Sequence, residues 1–107
     1  MESIWKKTAE LPEFHTLTKD IRTKVLIIGG GMAGILCAYF LQRSGVDYCL
    51  LEADTICSGV TGNTTAKITS QHGLIYDSLI SRAGREIADG YLRANELALK
   101  RYKEIGR

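Results

Sequence analysis

Residues 25–34 read VLIIGGGMAG: four aliphatic residues run straight into three glycines, and a fourth glycine follows three places on. The aliphatic run, mostly β-branched, predicts a short strand covered on both faces, and therefore a strand of a parallel sheet. Glycine clusters weaken strands and helices alike, so the chain must turn here and the turn must need a bare backbone. Residues 32–44 (MAGILCAYFLQRS) fit a helix that is apolar on most sides, with Gly45 available as its left-handed stop. Residues 46–52 (VDYCLLE) form a second apolar strand. Strand, glycine turn, helix and strand make a βαβ unit with a right-handed crossover, and the fold class is α/β.

Such a crossover sets the helix N-terminus at the carboxyl end of the first strand. Backbone N–H groups there lack intrahelical acceptors and the helix dipole favours negative charge, which suits a diphosphate. Gly29, Gly31 and Gly34 fill the spacing G-x-G-x-x-G. The first permits the tight turn, the second keeps a β-carbon off the pyrophosphate, and the third lets the helix approach the strands. Met32 and Ala33 lie inside the motif and contribute first-turn amides. Gly30 has no slot in the spacing and reads as added flexibility. Glu52 ends the second strand, 18 residues after Gly34, where a carboxylate can accept from a ribose hydroxyl, with Ala53 beside it. Its charge opposes a 2′-phosphate and so argues against NADP.

Composition sets outer bounds. The 107 residues suffice for one small globular domain, 45% hydrophobic and 24% charged, with a net charge of +2. That charge is too mild to argue for nucleic acid. Three cysteines without a CxxC pair give no metal framework. Cys37 and Cys49 read as small core side chains, and reduced thiols imply a cytoplasmic setting. No apolar run approaches a membrane span, and the N-terminus lacks the apolar core of a signal peptide.

The rest of the chain carries weaker signals. Residues 1–22 read as an irregular arm with one short helical turn, anchored by Trp5 and Phe14. Residues 53–65 (ADTICSGVTGNTT) are a loop by composition. Gly59 and Gly62 allow unusual backbone angles there, and Thr61, Asn63, Thr64 and Thr65 offer donors. Composition alone leaves an ordinary surface loop and a phosphate-binding loop both standing. Residues 66–73 are ambiguous between a helical turn and a strand. Residues 75–83 predict a short helix stopped by Gly84, and residues 85–105 a long amphipathic one. In the long helix Ile87, Tyr91, Ala94, Ala98, Tyr102 and Ile105 follow the 3.6-residue period, and Glu96 with Lys100 forms an i,i+4 pair.

The stretch VLIIGGGMAGILCAYFLQRSGVDYCLLEAD resembles the N-terminal FAD-binding segment of flavin-dependent oxidoreductases, with Gly29, Gly31, Gly34, Ala38, Leu41, Gly45 and Glu52 in that family's slots. ICSGVTGNTTAK resembles the loop that follows in the D-amino-acid oxidase and glycine oxidase superfamily. SIWKKTAELPEF and VTGNTTAKITSQHGLIY are similar to a subgroup that carries a C-terminal Rieske iron–sulfur domain. The resemblance implies a Rossmann-like βαβ unit that is an incomplete part of a larger FAD/NAD(P)-binding fold. It divides the chain into the arm 1–22, an FAD-binding unit with its cofactor loop at 23–73, and a helical segment at 74–107. It implies FAD as cofactor and an amine or amino acid as substrate, oxidised at its C–N bond by hydride transfer to flavin. It also gives Gly59, Thr61, Gly62, Asn63, Thr64 and Thr65 to the second phosphate or the ribityl chain. Lys67 follows this loop and is either a cation beside the flavin or a solvated lysine. His72 reads first as a structural histidine and second as a proton-transfer group.

Members of this superfamily are several times longer, so the chain reads as an N-terminal segment without a substrate domain, inactive alone, with open sheet edges that favour self-association. Two alternatives stay open: the first unit of an NAD-dependent dehydrogenase, which the GVTGNTTAK loop disfavours, and a non-catalytic fragment.

Overall fold

The computed structural model describes residues 3–106; the first two positions of the arm and the last of the helical segment lie outside the described residues. The elements in chain order are α1 (Ile4–Thr8), β1 (Val25–Ile28), α2 (Met32–Arg43), β2 (Tyr48–Leu51), α3 (Val60–Asn63), α4 (Ile75–Ala83) and α5 (Arg85–Ile105). They group into two compact units, one ending at Thr65 and the other beginning at Ala66.

In the first unit β1 and β2 pair in parallel, with Val25 opposite Tyr48 and Ile28 opposite Leu51. The chain between them is α2, which packs on both strands. Ile27 and Ala38 are the buried side chains of this contact. Gly45, at φ +65°, ends the helix, and the Val46 N–H then donates to the Leu41 carbonyl. The Asp47 carboxylate accepts from the Lys24 N–H and the Thr23 hydroxyl, which ties the starts of the two strands together.

Several expectations are corrected. β1 is not covered on both faces: side chains alternate, so Ile27 turns to α2 while Leu26 and Ile28 turn away, and Ile28 is 82% exposed. Cys37 is exposed, because it is its neighbour Ala38 that meets the sheet, and Cys49, within β2, is half-buried. Within the loop 53–65, residues Val60–Asn63 form a helical turn. Gly59 holds φ −82° and ψ −135°, outside the helix and strand regions, whereas Gly62 lies inside the helical turn and the left-handed angles belong to Cys57 (φ +58°) and Ala66 (φ +50°). The arm does contain one helical turn, α1, whose Trp5 is docked by its indole N–H, whereas Phe14 is 73% exposed and anchors nothing.

The second unit is a helical hairpin. Gly84, at φ +87°, ends α4 and starts α5, and its N–H donates to the Ile80 carbonyl. Residues 66–73 form neither a strand nor a helix. The Tyr76 and Tyr91 rings meet edge to face, 6.0 Å apart. The inward line of α5 runs through Ala88, Asn95, Leu99, Tyr102 and Ile105, while Ile87, Ala94 and Ala98 face out. Small Ala88, 3% exposed, is the buried side chain of this helix. Among the described residues the ion pair on α5 is Arg101–Glu104 at 2.8 Å, not Glu96–Lys100; the Glu96 charge acts instead on Tyr76. No helix among the described residues is long and apolar enough to cross a membrane.

Candidate functional site: the glycine turn and the loop after β2

The glycine turn is built from backbone contacts that side chains would prevent. Gly29, at φ +104°, leaves the strand, and its N–H still donates to the Leu51 carbonyl at 2.7 Å. The Gly30 N–H donates to Glu52 Oε2 at 2.6 Å. Gly30 is buried, and a β-carbon there would stand 2.8 Å from Ile56 Cγ2 and 3.2 Å from Glu52 Cβ. It is therefore a point of close packing rather than added flexibility, a role that only tertiary contacts reveal. Gly31 is the N-cap of α2 in extended geometry, and its missing β-carbon would lie 3.3 Å from Thr61 Oγ1. A β-carbon on Gly34 would collide with the Gly29 carbonyl oxygen, so α2 is pressed directly against the end of β1.

Glu52 follows β2 and turns toward this loop. Besides Gly30, it accepts from the Ala53 N–H at 2.8 Å and the Asp54 N–H at 3.1 Å, both on Oε1. These N–H dipoles favour the ionised form. The Gly30 bond leads, the Asp54 and Ala53 bonds add to it, and together they hold the carboxyl below its usual 4.5 against a smaller opposing effect of burial. The carboxylate is exposed and ionised beside the start of the crossover helix.

The loop after β2 closes over the same turn. The Cys57 N–H donates to the Gly30 carbonyl at 3.0 Å, and the Met32 N–H donates to Thr61 Oγ1 at 3.0 Å. Thr61 thus acts as an acceptor within the protein. Asn63 turns its side-chain amide back onto the Gly59 carbonyl at 2.8 Å and the Ser58 carbonyl at 3.4 Å. Gly62 is buried against the Cys57 carbonyl. Thr64 is half-buried and its carbonyl accepts from Trp5, while Thr65 is exposed at the end of the unit. Ala33 and Ala53 are exposed. Lys67 is exposed and belongs to the second unit, as does His72, whose carbonyl accepts from the Ile75 N–H. The sequence marks Trp5 as an anchor of the arm but gives no signal of its partner Thr64 or of the bond from Lys6 to Ser58.

The turn fits a dinucleotide. The α2 cap residue carries no side chain to occupy the helix end, and no acidic residue stands in its first turn. Amides in the first turn of a helix lack intrahelical acceptors, which leaves an anion-compatible end. Of the motif's amides, Gly29 is held by the Leu51 carbonyl and Met32 by Thr61, and the neighbouring Gly30 is held by Glu52; Gly31, Ala33 and Gly34 complete the turn. The ionised Glu52 at its rim is an acceptor of the right chemistry for sugar hydroxyls.

Comparison with known proteins agrees with this chemistry. Residues 24–107 match the family model described as FAD dependent oxidoreductase (DAO). YhfW of Bacillus subtilis, described as a Rieske 2Fe-2S iron-sulfur protein, is 42% identical over 104 residues, 97% of this chain and 20% of YhfW. OrdL of Rhizobium meliloti, described as an oxidoreductase, is 32% identical over 93 residues, 87% of this chain and 22% of OrdL. The FAD-dependent monooxygenase atmM of Aspergillus flavus is 40% identical over 58 residues, 54% of this chain and 12% of atmM. The chain thus spans about a fifth or less of the length of these relatives. No solved structure matches it at a significant level. With the family model matched over residues 24–107 and the glycine motif and turn lying within that match, the chain belongs to the FAD dependent oxidoreductase family, and its cofactor is FAD.

Proposed function

We propose that residues 25–65 form the part of a Rossmann-type unit that holds the adenosine diphosphate half of FAD, in an oxidoreductase that oxidises an amine or amino acid at its C–N bond. The observation that carries the reading is the bond from the Gly30 N–H to Glu52, which sets an ionised carboxylate at the rim of a helix N-terminus whose cap residue is glycine. In this reading the amides of Gly31, Ala33 and Gly34 bind the pyrophosphate, with Met32 beside them. Glu52 accepts from the ribose and Ala53 flanks it. Thr61 and the following residues border the second phosphate. When bound, FAD supplies an acceptor for two electrons as a hydride. The chain's own part is to bind, to orient and to keep a negative charge on Glu52. The family match supports the cofactor, and the similarity to OrdL supports the oxidoreductase class. The similarity to YhfW favours a second element in the proposal, a Rieske iron–sulfur centre as electron partner.

Titrating the purified chain with FAD, ADP, NAD and NADP by calorimetry tests the reading. FAD binding that ADP competes away, with no measurable NADP binding, is the expected result. Binding of NAD in preference to FAD, or FAD binding indifferent to ADP, overturns it.

A further inference from the structure

The helix α1 has five residues, too few to persist alone in water. Its own contacts are modest: Ser3 Oγ accepts from the Trp5 N–H at 3.3 Å, and the Thr8 hydroxyl donates to the Ile4 carbonyl at 2.9 Å. What holds it in place is distant in sequence. The Trp5 indole N–H donates to the Thr64 carbonyl at 2.9 Å, across 59 positions. The Lys6 ammonium donates to the Ser58 carbonyl at 2.9 Å, across 52 positions. These two carbonyls flank α3 on either side. Between them Gly62 presses close to α1, for a β-carbon there would stand 3.0 Å from Lys6 Cε. On its other side the same short loop meets the glycine turn, through Thr61 Oγ1 on the Met32 N–H and the Cys57 N–H on the Gly30 carbonyl.

We infer that α1 is a latch on the cofactor loop. Trp5 and Lys6 are positioning residues: they fix residues 58–64 so that Thr61 stays on the N-terminus of α2, and FAD affinity depends on them without their touching FAD. The dependence on FAD rests on the proposed function above, whereas the hold on Thr61 does not. Carbonyls at both ends of α3 are restrained by donors on one short helix, so releasing either donor frees one end of the segment that carries Thr61. The glycine at 62 is what permits α1 to lie that close.

The test uses the whole chain and two variants that each remove one donor while keeping the apolar body, Trp5→Phe and Lys6→Met. Amide hydrogen exchange is read by NMR at Met32, the partner of Thr61, and at Gly29, whose bond to Leu51 lies in the sheet. FAD affinity is measured in parallel. Both variants are expected to speed Met32 exchange and weaken FAD binding by about threefold to tenfold, the factor one net hydrogen bond carries, with Gly29 exchange unchanged. Phe14→Ser, an exposed change on the same arm, is expected to alter neither. Unchanged Met32 exchange in both variants overturns the latch, as does equal acceleration at Gly29, which would mean general loosening. A wild-type chain without FAD affinity overturns the proposed function alone, and the latch is then decided by Met32 exchange.

Discussion

Gly30 and Glu52 are joined by a 2.6 Å bond from backbone N–H to carboxylate, and their chains approach so closely that a β-carbon on Gly30 would stand 3.2 Å from Glu52 Cβ. The turn after β1 and the end of β2 are therefore one packed object, and the glycines within it serve different physical purposes.

Gly30→Ala is expected to destabilise the first unit by about 1–3 kcal/mol through overpacking against Ile56, and Ile56→Ala in the same chain to restore part of that loss. Gly29→Ala meets open space but forces alanine to φ +104°, about 1–3 kcal/mol that no neighbouring substitution recovers. Gly34→Ala, set against the Gly29 carbonyl, is expected to cost about 3 kcal/mol or more. Urea unfolding curves of the variants check all three.

Glu52 gives a defined acid limit. Its carboxyl is held below 4.5 in the folded chain by the N–H groups of Gly30, Asp54 and Ala53. A depressed folded pKa means the folded state binds fewer protons, so its contribution is fully present above the unfolded value and is lost as pH falls from about 4.5 through the lower folded value. Glu52→Gln is expected to flatten the stability profile in that window and leave it unaltered at neutral pH in shape. Thermal melts from pH 7 to pH 3 decide it.

Cys57 sits at φ +58° without being glycine, in a segment held by its N–H on the Gly30 carbonyl. A left-handed conformation costs an L-residue roughly 1–2 kcal/mol, and glycine's greater freedom when unfolded returns part of that. Cys57→Gly is expected to stabilise the unit by about 0.5–1 kcal/mol, read from the urea midpoint.

In the hairpin, the Tyr76 phenol is pushed above its usual 10.0, first by burial and then by the charges of Tyr91 and Glu96. A raised folded pKa favours the protonated form, so this contribution is present below pH 10 and is lost as pH rises through the folded value. Ultraviolet titration should show one tyrosine ionising late, and Tyr76→Phe should remove that step.

Local signals located the elements well. The aliphatic run and the glycines marked β1 and the turn, Gly45 the end of α2, and Gly84 the break between α4 and α5, because each acts through local backbone preference. α3 escaped notice because Val60–Asn63 has no apolar period and is closed by Asn63 folding back on Gly59. The weight on Gly30 was invisible because Ile56 and Glu52 reach it only through the pairing of the strands. On α5 the apolar period marks Tyr91, which meets Tyr76, and the half-buried Tyr102 and Ile105, but not Ala88, which is unremarkable as a residue type and yet buried. For the cofactor turn, motif spacing identified the anion-compatible helix end but not the side chains that already hold two of its amides.

The long span between Trp5 and Thr64 also orders assembly. A contact across 59 positions closes late, since its loop entropy is offset only after the intervening strands and crossover helix have condensed. Within the first unit the amino-terminal turn is accordingly expected to dock after the paired strands and to lift before them. A protease added to the native chain will cut between residues 9 and 24 while the paired strands are still intact.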